Sequence, residues 1–124
     1  MFEITTEPSK RLVRLKLSGM LTEADVRELY RQEHAAIHAM ACPLGEHLLL
    51  IDSTQNELQT QSVIETFKRQ MSKPSRAKRI AVVTGQSLSR MQARRLLSEQ
   101  PGNIFLTVAE AEAWLLNEPL SQAA

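Results

Sequence analysis

Two short apolar runs restrict what this chain can fold into. "HLLLID", residues 47–52, and "RIAVVTG", residues 79–85, carry their apolar residues consecutively rather than alternately. A strand with one wet face alternates, so a continuous run needs cover on both faces. A polar loop follows the first run, a serine-bearing turn follows the second, and helical spacing follows each. Strand, loop and helix in that repeated order predict a sheet with parallel members, helices packed on its faces and right-handed crossovers.

Ahead of the first run, "EITTE" after Phe2 and "RLVRLKLS" (residues 11–18) alternate like half-buried strands, and "EPSK" between them holds turn formers. This predicts an antiparallel β-hairpin. Thr22 opens a helix, with Asp25 three residues on in a near capping-box pattern, and the helix runs to about Met40 before "ACPLG" ends it. The loop "STQNELQTQ" leads into "SVIETFKRQM", whose Val63, Ile64, Phe67 and Met71 share one stripe and whose Ser62 and Glu65 read as a capping box. "SKPS" breaks that helix. A third helix is expected over residues 87–98, a short strand at "NIFL", and a last helix at "TVAEAEAWLL" capped by Thr107 with Glu110. The expected architecture is one α/β domain over residues 1–124, a mixed sheet in the order ββαβαβαβα.

Composition removes several function classes. Aromatic residues make up 4% of the chain, too few for a base-stacking platform. No motif for duplex recognition is present, so nucleic acid is not an expected partner. No apolar stretch reaches the ~18 residues of a transmembrane segment. The N-terminus lacks the basic and apolar regions of a signal peptide, so a cytoplasmic protein is expected. The single Cys42 offers no internal disulfide and reads as a loop thiol beside Pro43.

The net charge of +1 hides a segregation. Residues 66–98 hold nine bases and no acid: Lys68, Arg69, Lys73, Arg76, Lys78, Arg79, Arg90, Arg94 and Arg95. Residues 1–65 hold six bases against ten acids, and residues 99–124 hold four acids and no base. Such a basic patch suits an acidic protein, an anionic surface or an anionic ligand; the plainer reading is a solvated rim neutralised by the protein's own acids. On the third helix, Arg90, Arg94 and Arg95 take one side with Met91, and Leu88, Ala93, Leu96 and Leu97 take the other. Helices in β-α units run antiparallel to their strands. Arg94, Arg95 and the bases from Lys68 to Arg79 are therefore expected at the amino ends of the strands.

The element order, the central strand "HLLLIDST" and the ending "RIAVVTGQSLSRMQARRLLSEQPGNIFLTVAEAEAWL" together resemble the STAS domain. That is the domain of bacterial anti-sigma-factor antagonists and of anion-transporter tails. The resemblance implies a STAS-like fold and a regulatory module that docks to a protein partner around the helix starting near Ser62. Partner-switching members carry an Asp-Ser-x-Gly-like motif after the central strand, with a serine that a kinase phosphorylates. The corresponding stretch here is "TQSV", Thr60 to Val63, without the Asp or the Gly. The resemblance makes Ser62 the nearest equivalent of that serine and Thr60 the second.

Ligands of such sheets favour the carboxyl ends of the strands. Asp52 and Thr54 end the first buried strand, Thr84 and Gly85 end the second, and Ser87 opens the next helix. A cleft there would gather these residues with Ser62 and Ser89, and helix N-termini would favour an anion. The alternative gives Ser87 the cap, Gly85 the turn and Asp52 backbone hydrogen bonds. No phosphate-binding glycine pattern accompanies them, and no cofactor is expected. Glu33 lies inside the apolar stripe of the first helix, so it must be paired with a base, protonated or placed at a groove. His34 and His38 have the one-turn spacing of a zinc pair but no third ligand, so no metal is expected. No Gly-x-Ser-x-Gly elbow supports a hydrolase. The expected function is a non-enzymatic, cytoplasmic regulatory or interaction module. The alternative is a small-molecule or lipid-binding protein using the cleft, with Glu33 at its wall. The oligomeric state stays open, a homodimer included.

Overall fold

The computed structural model describes residues 1–85 and 87–123. Strand β1 (Phe2–Glu7) and strand β2 (Leu12–Gly19) form the expected hairpin, joined by a 3-10 turn, Pro8–Lys10. There follow α1 (Glu23–Ala39), β3 (Leu48–Asn56), α2 (Gln61–Met71), β4 (Arg79–Val83), α3 (Ser87–Leu96), β5 (Gly102–Phe105) and α4 (Val108–Ala123). The sheet order is β1-β2-β3-β4-β5, antiparallel between β1 and β2 and parallel thereafter.

The continuous runs are explained by two cores. Leu49 and Ile51 of β3, with Ile80 and Val82 of β4, face Leu29 of α1, Phe67 of α2 and Leu96 of α3. Their neighbours Leu48, Leu50, Ala81 and Val83 face Ala111 and Leu115 of α4. Successive strand residues point to opposite faces, so both parities must be apolar. On the same face, β2 presents Arg14 beside α4. Its guanidinium bonds Glu7 at 2.7 Å and Glu112 of α4 at 2.7 Å, tying the last helix to the hairpin.

Several boundaries differ from expectation. Residues 53–56, expected as loop, extend β3, because Gln55 and Asn56 pair with Ser18 and Gly19 across a register shift after Lys16. Polar composition misleads here, since this end of the sheet borders water. Helix α2 is capped by Thr60, which accepts from the Val63 amide at 3.3 Å; Ser62 is one residue inside the helix and exposed. The Ser62–Glu65 capping box is therefore replaced by a Thr60 cap. The α1 box forms as read, between Thr22 and Asp25. Leu88 is 60% exposed rather than on the buried side of α3. It sits in the first turn of α3, ahead of the buried part of the helix, whose buried residues are Ala93 and Leu96. Cys42 lies in the loop between α1 and β3 beside Pro43, as expected, and is buried in the core.

Candidate functional site

The carboxyl ends of β2 to β5 lie together, and α1 to α4 all start there. Asp52 and Thr54 lie within β3 rather than at its end, because the strand runs on to Asn56; Asp52 Oδ1 accepts from the Thr54 hydroxyl at 2.7 Å and from its amide at 3.1 Å. β3 and β4 are neighbours, with Asp52 opposite Val83. Thr84 is buried and its amide bonds Phe105 O at 3.0 Å, while Gly85 and Ser87 are exposed.

Strand parity divides these residues. Asp52 shares a face with Leu50 and lines a recess on the α4 side with Glu3, Thr5, Arg14, Lys16 and Val108. Ser53 faces the other way and donates to Val83 O at 2.8 Å. It borders a cavity of about 40 Å³ under α2 and α3, floored by Ile51, Val82, Phe67 and Leu96 and rimmed by Gln59 and Gln92. No single cleft thus gathers Asp52, Thr54, Thr84, Ser87 and Glu33.

The organising residue at this end is Gln59, in the loop before α2. Its carboxamide oxygen accepts from the Leu21 amide at 2.8 Å, and its nitrogen donates to Gly19 O at 3.1 Å and Glu57 O at 2.6 Å. Its backbone exchanges two bonds with the Gln92 side chain of α3, at 3.1 and 2.8 Å. One buried glutamine thus ties the β2–α1 loop, the loop before α2 and helix α3 into one rigid rim. A glutamine among glutamines in "STQNELQTQ" carries no pattern that could have marked it. On this rim Thr60 Oγ1 lies 3.2 Å from Ser62 Oγ, and Gln61 donates to Glu65 at 3.2 Å.

Glu33 lies at the opposite end of the sheet. It is 4% exposed, and its Oε2 is 4.0 Å from Nε2 of His47, which is fully buried just before β3. Burial raises the Glu33 carboxyl to about 7 and lowers the His47 ring to about 4. Despite the distance, the pair is therefore a neutral acid facing a neutral ring across most of the acidic range. Tyr30 of α1 is buried nearby, and its hydroxyl is raised by burial and by Glu33. Of the three states expected for Glu33, burial favours the protonated one, and the residue also borders a small recess of about 10 Å³ with Tyr30, His34, Ser75 and Arg76. His47, at the start of the run that forms β3, has no pattern around it in the sequence that marks it as the partner of Glu33. His34 turns instead to Ser75, 3.3 Å away.

Three of the nine bases make contacts within the fold. Arg79 lies over the Trp114 ring on the α4 side, 5.9 Å from its centre. Arg69 bonds the Thr66 hydroxyl at 3.1 Å and Arg76 bonds Gln100 at 3.2 Å. The ion pairs among the described residues involve Lys10, Arg14, Arg31 and His47, so Arg90, Arg94 and Arg95 are not neutralised by acids of the described chain. No helix among the described residues is long and apolar enough to cross a membrane.

The fold recurs in solved structures. An uncharacterised protein with a SpoIIAA-like fold from Shewanella loihica PV-4 superposes with a TM-score of 0.70 at 19% identity, covering 93% of this chain and 92% of that one. An anti-sigma factor antagonist from Mycobacterium paratuberculosis superposes with a TM-score of 0.57 at 15% identity, covering 93% and 94%. No curated protein matches the sequence. At these identities the two structures establish the fold, a mixed α/β domain of the STAS type. The SpoIIAA-like family model matches residues 12–116, from the first residue of β2 into α4, and the chain belongs to the SpoIIAA-like family.

Proposed function

We propose that this chain is a cytoplasmic regulatory module whose protein partner seats on the carboxyl-end rim of the sheet. The observation that carries the reading is where apolar surface is left exposed. Among the described residues the exposed large hydrophobics are Met1, Met20, Leu44, Leu58, Leu88, Met91, Leu106 and Val108. All but Met1 and Leu44 fall at the carboxyl ends of strands or in the opening turns of helices that start there. Met20 and Leu58 flank the Gln59 clamp in sequence, and Leu88 lies one turn before Gln92. Clustered apolar side chains on a pre-organised rim mark an interaction surface.

Ser62 is the modification point this reading favours. Its side chain is exposed in the first turn of α2, whereas the Thr60 hydroxyl is committed to the cap. A phosphate on Ser62 would add nearly two negative charges beside the docking surface. The small-molecule reading is less well supported. The cavity beside Gln59 is about 40 Å³ and the recess lined by Asp52 about 130 Å³, whereas ligand pockets run to about 300 Å³ or more.

The test is capture of the partner from native lysate at high salt, with Leu58→Glu and Leu88→Glu in parallel. Wild type should retain one stoichiometric protein, and either variant should lose it while keeping its melting temperature. Retention by both variants would move the docking site elsewhere.

A further inference from the structure

We infer that the groove between α3 and β5 receives an acidic segment of a protein partner, with Arg90 and Arg94 as the receiving cations. The docking reading above is its starting point, and it adds a second contact on another flank of α3. The Gln92 flank faces the loop before α2, and the Arg90 flank faces β5.

The groove encloses about 270 Å³ between Arg90, Arg94, Leu97, Gly102, Asn103 and Ile104. Its lining holds two guanidiniums and no carboxylate. Neither arginine forms an ion pair among the described residues. They are one turn apart, so their Cβ atoms stand about 6 Å apart. Each presents a planar fork suited to bidentate carboxylate binding. Carboxylates two residues apart on an extended chain are spaced by about 6–7 Å, which matches.

β5 is an edge strand, and an edge can recruit another strand. Here its outward amides are already bonded. The Ile104 amide is held by Asn103 Oδ1 at 2.9 Å, and the Gly102 amide by Gln100 O at 2.8 Å. An added strand would find no free amide to pair with at these residues, which favours engagement through side chains. With its oxygen committed, Asn103 has only its N–H donors to offer, which again favours an anion. The groove floor is stiff. A Cβ on Gly102 would lie 2.8 Å from Leu97 Cδ2 and 2.9 Å from Ile80 O, so β5 and α3 meet there without slack.

The experiment is an NMR titration of isotope-labelled protein with hexaglutamate at low salt. Saturable shifts are expected at Arg90, Arg94 and Gly102 to Ile104. The double variant Arg90→Ala, Arg94→Ala should weaken binding about tenfold. Lys68→Ala with Lys73→Ala, which removes the same charge elsewhere, should change it by less than about twofold. Equal weakening by both pairs would overturn the inference, since net charge alone would then be acting, and so would the absence of saturation in wild type. Inorganic phosphate displacing hexaglutamate at equal concentration would overturn it in favour of a free anion. Arginine-dependent retention on phosphatidylserine vesicles would overturn it in favour of a membrane. Failure here leaves docking at Leu58 and Leu88 standing, and failure of the lysate capture leaves this groove standing.

Discussion

Replacing Glu33 by Gln should reshape the dependence of stability on pH. In the fold the carboxyl titrates at about 7 against an ordinary 4.5, because burial opposes its charge. A raised folded pKa gives a contribution that is complete below pH 4.5 and lost as pH rises through about 7. The His47 ring is lowered from 6.5 to about 4, so its contribution is complete above pH 6.5 and lost as pH falls through about 4. Each slope is about 1.4 kcal/mol per pH unit, and the signs are opposite. Wild type should therefore show a plateau between pH 4.5 and 6.5 as far as this pair is concerned. The Glu33→Gln substitution keeps the shape of the side chain and removes its proton. The variant should then lose stability from pH 6.5 down to about 4, following His47 alone. Relative to wild type it should gain about 3 kcal/mol between pH 4.5 and 7. That is a large share of a total stability of about 5–15 kcal/mol. Urea denaturation of both proteins across this pH range measures the difference. A difference that does not change with pH would refute the buried neutral acid. A difference that falls as pH rises would mean that Glu33 and His47 form a true ion pair.

Thr60→Ala should cost about 1 kcal/mol through loss of the α2 cap, and Ser62→Ala less than about 0.5 kcal/mol; the reverse order in urea midpoints would restore Ser62 as the cap. Gln59→Ala leaves the buried Leu21 amide unbonded and should cost about 1–3 kcal/mol, with hydrogen exchange accelerating at Leu21 and in residues 57–60 but not in α4. Uniform acceleration would deny Gln59 its local role. Gly102→Ala should cost about 1–3 kcal/mol by overpacking against Leu97 and the Ile80 carbonyl, seen as a lower thermal midpoint; no change would mean that β5 can shift away from α3.

The fold was legible wherever burial imposes a pattern. "HLLLID" and "RIAVV" announce two-sided cover because Leu50 and Leu49 both lie in cores, on opposite faces. The hairpin and the Thr22 box are local, and local chemistry fixes them. The misreadings share one cause: a long-range partner changes what a residue does. Residues 53–56 are strand only because the end of β2 lies beside them. Leu88 looks like a core leucine in its own helix and becomes exposed because the buried stripe of α3 begins later, at Ala93.

The site was less legible, for a related reason. Polar residues acquire roles through partners far away in sequence. Gln59 bonds Gly19, Leu21 and Gln92, which are 33 to 40 residues distant. Glu33 could be marked as misplaced by its apolar stripe, but not resolved, because its neutral state depends on how deeply the folded chain buries it. The basic window is the instructive intermediate. Its bases could be read off the chain, and their expected fates divided between a neutralised rim and a receiving surface. Which fate applies depends on whether acids from other elements reach them. For Arg14 they do, since Glu7 and Glu112 converge on it from β1 and α4. For Arg90 and Arg94 no described acid does, and the outward amides of the adjoining strand are already bonded to Asn103 and Gln100. An uncompensated pair of forks beside an edge with no free amide favours side-chain carboxylates as the complement.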